Sequence, residues 1–174
     1  MRPLVQLFCN PASGNYSPRE IGALVAAFEA LGASVERTES HAGPPPVLAG
    51  ATHVCIAGGD GTVRHVAMAL LAAGCRVPVA IYPAGTVNLL ARESAGWSGP
   101  AGFAAMLLDG APLREHYPVH AGGTQFLACA SAGVDSLAVA GVSERLKARR
   151  SGRSRGASST QVARACSWMS GNLA

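Results

Sequence analysis

A chain of 174 residues with 49% hydrophobic but only 5% aromatic content, rich in Ala and Gly, is long enough to bury a real core and suited to close helix-on-sheet packing. No apolar run reaches the ~18 residues a membrane span needs, and the N-terminus leads into a strand pattern without a signal-peptide layout. Charge is divided: residues 1–144 carry 7 Lys+Arg against 10 Asp+Glu, whereas residues 145–174 carry 7 Lys+Arg and no acid. The expectation is a cytoplasmic α/β protein whose membrane contact, at the inner face, is peripheral.

In chain order, residues 4–9 read as a strand running into Asn10-Pro11-Ala12-Ser13-Gly14, where Asn and Ser offer hydrogen bonds and Gly a pliable backbone. Residues 34–38 form a second strand pattern ending at Thr38. The run Gly43-Pro44-Pro45-Pro46-Val47-Leu48 cannot lie inside a helix, so that crossover must be short or irregular. Residues 53–57 read as a short buried strand. They pass through Gly58-Gly59-Asp60-Gly61-Thr62 into a helix over 63–71, with Val63, Val66, Ala67, Leu70 and Leu71 on one stripe. A strand at 79–82 leads through Pro83-Ala84-Gly85-Thr86-Val87-Asn88 into a helix over 89–93. Beyond Asp109-Gly110-Ala111, read as a helix-end turn, residues 113–120 alternate like a strand. Gly122-Gly123 offers a hairpin turn, and 125–131 reads as the return strand.

Three loops at strand carboxyl ends thus carry Gly with Ser or Thr and with Asn or Asp. In a parallel sheet such loops gather on one edge, where ligands bind. Glycines permit close backbone approach, and a helix start offers free N–H groups and a positive dipole end for phosphate. A turn in which Asp60 merely caps the next helix needs fewer glycines than this stretch contains. The chain has no Gly-x-x-x-x-Gly-Lys-Ser/Thr loop, no dinucleotide fingerprint and no nucleophile elbow, and its single lysine is Lys147. Phosphate charge must therefore be met by backbone amides, Mg²⁺ and arginine. Five isolated cysteines and five histidines lack metal-ligand spacing, so reduced thiols and no protein-held zinc are expected.

The motifs 10–14, 58–62 and 83–88, in this order and spacing, resemble the three signatures of the diacylglycerol kinase catalytic domain, a family that includes sphingosine, ceramide and bacterial lipid kinases. The resemblance covers about residues 4–142. NAD kinases share the Gly-Gly-Asp-Gly-Thr element and a similar fold. The Pro-x-Gly-Thr-x-Asn element and the Leu-Leu-Ala-Arg-Glu after it favour the lipid kinases. The resemblance implies a parallel sheet sandwiched by helices that binds Mg-ATP and transfers its γ-phosphate to a lipid hydroxyl, with no nucleic-acid partner. It implies that Asn10, Pro11, Ala12, Ser13, Gly14 and Thr38 line the nucleotide. Gly58, Gly59, Asp60, Gly61, Thr62, Val63 and Arg64 would cradle the phosphates, with Asp60 in the Mg–phosphate network. Thr86 would hydrogen-bond nucleotide or phosphate, and Asn88 would hold its loop. Relatives often carry Glu where this chain has His65, which reads better as a partly exposed helix histidine.

The resemblance also divides the chain. Residues 1–112 correspond to the nucleotide-binding domain. Residues 113–144 correspond to the truncated start of a β-rich acceptor domain, in which Asp135 has either a site role or a capping one. Residues 145–174 form a basic tail suited to anionic lipid or to disorder, or encoded out of frame after a shift near residues 147–150. In relatives the second domain supplies lipid contacts and a carboxylate from an Asp-Gly-Glu-type segment, which is absent from this sequence. Two other readings are a nucleotide-binding fragment without transfer and an NAD kinase-like enzyme. A membrane-binding module driven by the tail is a further alternative. A homodimer paired through strand edges is also an expectation.

Overall fold

The computed structural model describes residues 2–40, 45–93 and 98–129. Four strands, β1 (Leu4–Cys9), β2 (Ser34–Glu39), β3 (His53–Gly58) and β4 (Val79–Pro83), form one parallel sheet in the order β2-β1-β3-β4. Cys9 lies beside Ala57, and Gly58 beside Pro83, so the strands end together on one edge. Apart from Gln6 and the end residue His53, β1 and β3 are apolar, and both are almost wholly buried, as expected of strands covered on both faces. β2 lies at an edge and carries Glu36, Arg37 and Glu39 at exposed positions.

The sheet is a central layer. On one face Val5, Leu7, Cys9, Cys55, Ala57, Ala80 and Tyr82 meet α1 (Pro18–Ala30) and α4 (Gly99–Leu108). Helix α1 starts where the Ser17 side chain accepts a hydrogen bond from Glu20 N at 3.3 Å and Pro18 takes the first turn. It buries Ile21, Leu24 and Phe28, one stripe at helical spacing. It stops at Gly32, whose φ of 83° lets Ala33 N return to Phe28 O. Phe103 of α4 packs edge-on against both Phe28 and Tyr82, with ring centroids 6.5 and 5.1 Å apart.

On the other face Phe8, Val54 and Ile56 meet Val63, Val66 and Leu70 of α2 (Asp60–Ala72), and Leu90 of α3 (Leu89–Glu93). The β2–β3 crossover lies on this side, and its described residues 45–48 form no helix, as the prolines require. Gln6 compensates. Fully buried in β1, it donates to Pro46 O (2.8 Å) and to Thr38 Oγ1 (3.0 Å) and accepts from Leu48 N (3.0 Å). The irregular segment thus keeps its backbone groups paired under the sheet face.

Several expectations need correction. Leu71 is 55% exposed and lies off the buried stripe of α2, since its neighbour Leu70 takes the place against the sheet in that turn. The strand expected at 113–120 shrinks to β5 (Val119–Ala121), and its partner to β6 (Thr124–Phe126). Pro118 cannot donate to a ladder, and the described residues offer 113–118 no neighbouring strand. The turn at Gly122-Gly123 stands as read, with φ of 54° and 76°. Asp135, the basic tail and residues 43–44 of the proline-rich run lie outside the described residues. So does Cys166, while Cys9, Cys55, Cys75 and Cys129 are free thiols.

Candidate functional site

β1 and β3 are neighbours, but the chain leaves them in opposite directions: β1 is followed by β2 on one side and β3 by β4 on the other. Such a reversal opens a crevice beyond the carboxyl ends of the two central strands. The loop at Asn10 and the Gly58–Thr62 turn stand at that point, with the 83–88 loop beside them.

The loops are tied together by their own polar groups. Asn10 Nδ2 donates to Thr62 Oγ1 at 2.8 Å, while Asn10 Oδ1 accepts from Ala12 N at 2.9 Å, closing a local turn. Asn15 reaches the third loop twice, through its backbone N to Ala84 O (2.9 Å) and through Nδ2 to Gly85 O (2.8 Å). Within that loop Asn88, at φ 56°, closes a ring: Gly85 N donates to its Oδ1 at 2.8 Å and its Nδ2 donates to Gly85 O at 2.7 Å. Asp60 Oδ1 accepts from Leu90 N at 3.2 Å, so the carboxylate also caps the start of α3.

Two glycines let the backbones approach. A Cβ on Gly85 would stand 2.3 Å from Gly59 Cα and 2.7 Å from Asn88 Oδ1. A Cβ on Gly58 would meet the Thr62 side chain at 2.6 Å. Gly59 is the N-cap of α2 and has no side chain to offer; the first helical bond runs from Val63 N to Gly59 O at 3.0 Å. The amides of Asp60, Gly61 and Thr62 therefore precede the helical ladder, at the positive end of a 13-residue helix. That arrangement suits an oxyanion.

The residues expected to line a site divide into two groups. Thr62 is buried and Asn10 half-buried, both engaged in holding loops, whereas Pro11, Ala12, Gly14, Gly61, Arg64 and Thr86 are exposed. Ser13 is half-buried, and its N donates to Asn10 O. Val63 packs into the core under α2. Thr38 lies at the carboxyl end of β2, level with Phe8, where its hydroxyl accepts from Gln6. Arg64 Nε donates to Gln125 O at 2.5 Å, which turns it toward the β5–β6 hairpin. His65 is half-buried on α2.

Asn15 and the pair Glu20–Tyr82 escaped the motif reading. Tyr82 donates to Glu20 Oε2 at 2.7 Å, tying β4 to α1 below the loops; burial, reinforced by the carboxylate, pushes the phenol well above its ordinary pKa. Asn15 follows Gly14 directly, so an Asn at the end of a Gly-containing loop was the available signal. Burial also raises the thiols Cys9 and Cys55, the former despite the nearby Arg37. Among the described residues no three His, Cys, Asp or Glu side chains converge as a metal site. Mg²⁺ would fit only with phosphate oxygens as its main ligands and Asp60 as the nearby carboxylate.

Residues 5–115 match the model of the diacylglycerol kinase catalytic domain. The chain is also similar to curated proteins named "probable lipid kinase YegS-like". It is 40% identical over 101 residues to the one from Pseudomonas syringae pv. tomato, a stretch covering 58% of this chain and 32% of that protein. It is 38% identical over 101 residues to those of Pseudomonas fluorescens and Pseudomonas putida, covering 58% of this chain and 33% and 34% of theirs. The matched stretch spans about a third of these relatives' length.

Proposed function

This chain belongs to the diacylglycerol kinase catalytic domain family, and from that membership we propose that it provides the Mg-ATP half of a lipid kinase. The observation that carries the reading is the uncapped N-terminus of α2 at the sheet's reversal point, walled by glycines 58, 59 and 85. The α2 amides bind the phosphates. Asp60 faces the metal–phosphate network, and Thr86 and residues 11–14 border the nucleotide. Asn10, Asn15 and Asn88 hold these groups in place. Thr38, at the same sheet edge, borders the nucleotide.

In the proposed reaction a lipid hydroxyl oxygen forms a bond to the γ-phosphorus as the bond to the β–γ bridging oxygen breaks. ADP leaves with the electron pair, and the hydroxyl proton passes to a base on the acceptor side. Mg²⁺, when bound, offsets charge on the phosphates. Preorganised amides do the same without reorganisation. The division into a nucleotide domain (1–112), the start of an acceptor region (113–144) and a basic tail (145–174) belongs to this proposal. So do a cytoplasmic location, tail-assisted contact with anionic lipid and self-association. The structural finding on membranes is narrower: among the described residues no helix is long and apolar enough to span one.

The test is calorimetric titration of the full chain with Mg-ATP, alongside an assay on diacylglycerol and sphingoid vesicles and one on NAD. Asp60→Asn keeps an acceptor for Leu90 N but removes the charge. It should weaken Mg-ATP binding about tenfold, equivalent to about 1.4 kcal/mol. No binding by the unaltered chain would sink the proposal. Phosphorylation of NAD and of no lipid would replace it with an NAD kinase-like reading. Binding without turnover would make this chain a donor-site module.

A further inference from the structure

Arg64 stands one helical turn from the start of α2, and helical side chains lean back toward the N-terminus of their own helix. Its Nε donates to Gln125 O in β6. Gln125 is paired with His120 across the hairpin, so this bond holds β5 as well as β6. A second contact anchors the same region: Leu127 packs against the cluster of Phe8, Val63, Val66 and Leu90 under α2. His116 Nε2 lies 2.6 Å from Leu127 O, which ties the approach to the hairpin to its exit. The hairpin is therefore fastened to the helix whose N-terminus forms the anion site, and Arg64 is a polar link between them.

We infer that Arg64 is a positioning residue that couples occupancy of the α2 N-terminus to the docking of the β5–β6 hairpin. A guanidinium presents five donors in one rigid fork. With Nε on the Gln125 carbonyl, the N-terminal lean of a helical side chain leaves the fork's other donors for a phosphate at the helix start. A phosphate bound there restrains the fork, and the restrained fork holds the hairpin more firmly. Coupling of this kind is reciprocal, so a docked hairpin also favours the bound phosphate. The inference rests on the nucleotide reading above. It adds that the residues after 113 are placed by the donor site rather than independently of it.

The experiment is hydrogen–deuterium exchange of the full chain, with and without Mg-ATP, for the unaltered protein, Arg64→Ala, Arg64→Lys and the control Gln125→Thr, which keeps the carbonyl. Amides 119–126 should exchange about tenfold faster in Arg64→Ala, as expected when one anchoring hydrogen bond is lost. Mg-ATP should slow them in the unaltered chain and in Gln125→Thr, partly in Arg64→Lys, and not in Arg64→Ala. Residues 53–58 of β3 report whether the fold itself survives and should be unchanged throughout. Unchanged hairpin exchange in Arg64→Ala would overturn the inference, as would an Mg-ATP response that persists in that variant. Absence of Mg-ATP binding by the unaltered chain, measured separately by calorimetry, strikes the nucleotide reading. The difference in nucleotide-free exchange then still decides whether Arg64 fastens the hairpin.

Discussion

The carboxyl edge of the sheet and the segment from residue 113 to 127 are both loop-rich, yet they are built on opposite principles. At the edge, three loops far apart in sequence hold one another through Asn10–Thr62, Asn15–Gly85 and Asp60–Leu90, over two glycines in van der Waals contact. The later segment is open to solvent, with Leu113, Tyr117 and Val119 72, 71 and 55% exposed. Beyond its own β5–β6 pairing and the His116–Leu127 contact, it is held by Arg64 and by Leu127 packed on the sheet side. The edge loops are cross-tied to one another through their own side chains, the preorganisation that the proposed phosphate site calls for. The hairpin takes its position from its neighbour.

The contrast is broken most severely at Gly85. Gly85→Ala forces a methyl against the Gly59 backbone and the Asn88 side-chain oxygen Oδ1, so the backbone of the facing loop must shift. Urea denaturation should show a loss of about 3 kcal/mol, the upper end of overpacking costs. Asn10→Ala should cost less, about 1–2 kcal/mol, because it unpairs the buried Thr62 hydroxyl and opens the turn at Ala12. Its larger effect should appear in calorimetry, as weaker Mg-ATP binding.

The hairpin side should behave otherwise. Tyr117→Ser removes an exposed ring whose hydroxyl donates to Glu115, and urea midpoints should barely move. A comparable shift at Tyr117 and Asn10 would erase the distinction between the regions. The smallest effect concerns His53, at the far end of β3 from the site, where burial lowers the imidazole pKa. Between about pH 6.5 and the lowered folded value, the unfolded chain binds the extra proton. Stability attributable to His53 is thus complete above about pH 6.5 and declines below it. In His53→Gln, the slope of Tm against pH over that window should be shallower.

Legibility in the sequence follows the same divide. β1, β3 and α3 were readable within a residue because each is short and bounded by Gly, Pro or Asn, and the edge motifs follow from strand ends. What could not be read was the stitching. Nothing in the pattern says that the amide of Asn10 is satisfied by Thr62, that Asp60 caps α3, or that Asn15 reaches Gly85, because these are long-range contacts fixed by the sheet order. The strand expected from 113 failed because alternation records which side chains could face a core, while a strand also needs a neighbour to pair with. Arg64 illustrates both limits: its place after the glycine turn suggested phosphate, and only the fold brings Gln125 within reach.

Gln6 has a consequence for how this chain can change. A helical crossover presents a repeating surface, so it can gain or lose a turn and still cover a sheet. The crossover here is recognised at two particular backbone atoms, Pro46 O and Leu48 N, by one buried amide. Pro46 is exposed while Val47 packs on the cluster under α2, and a single-residue insertion or deletion between those atoms would strand the Gln6 amide inside the protein. The segment is therefore intolerant of length change, the reverse of what is ordinarily expected of a loop.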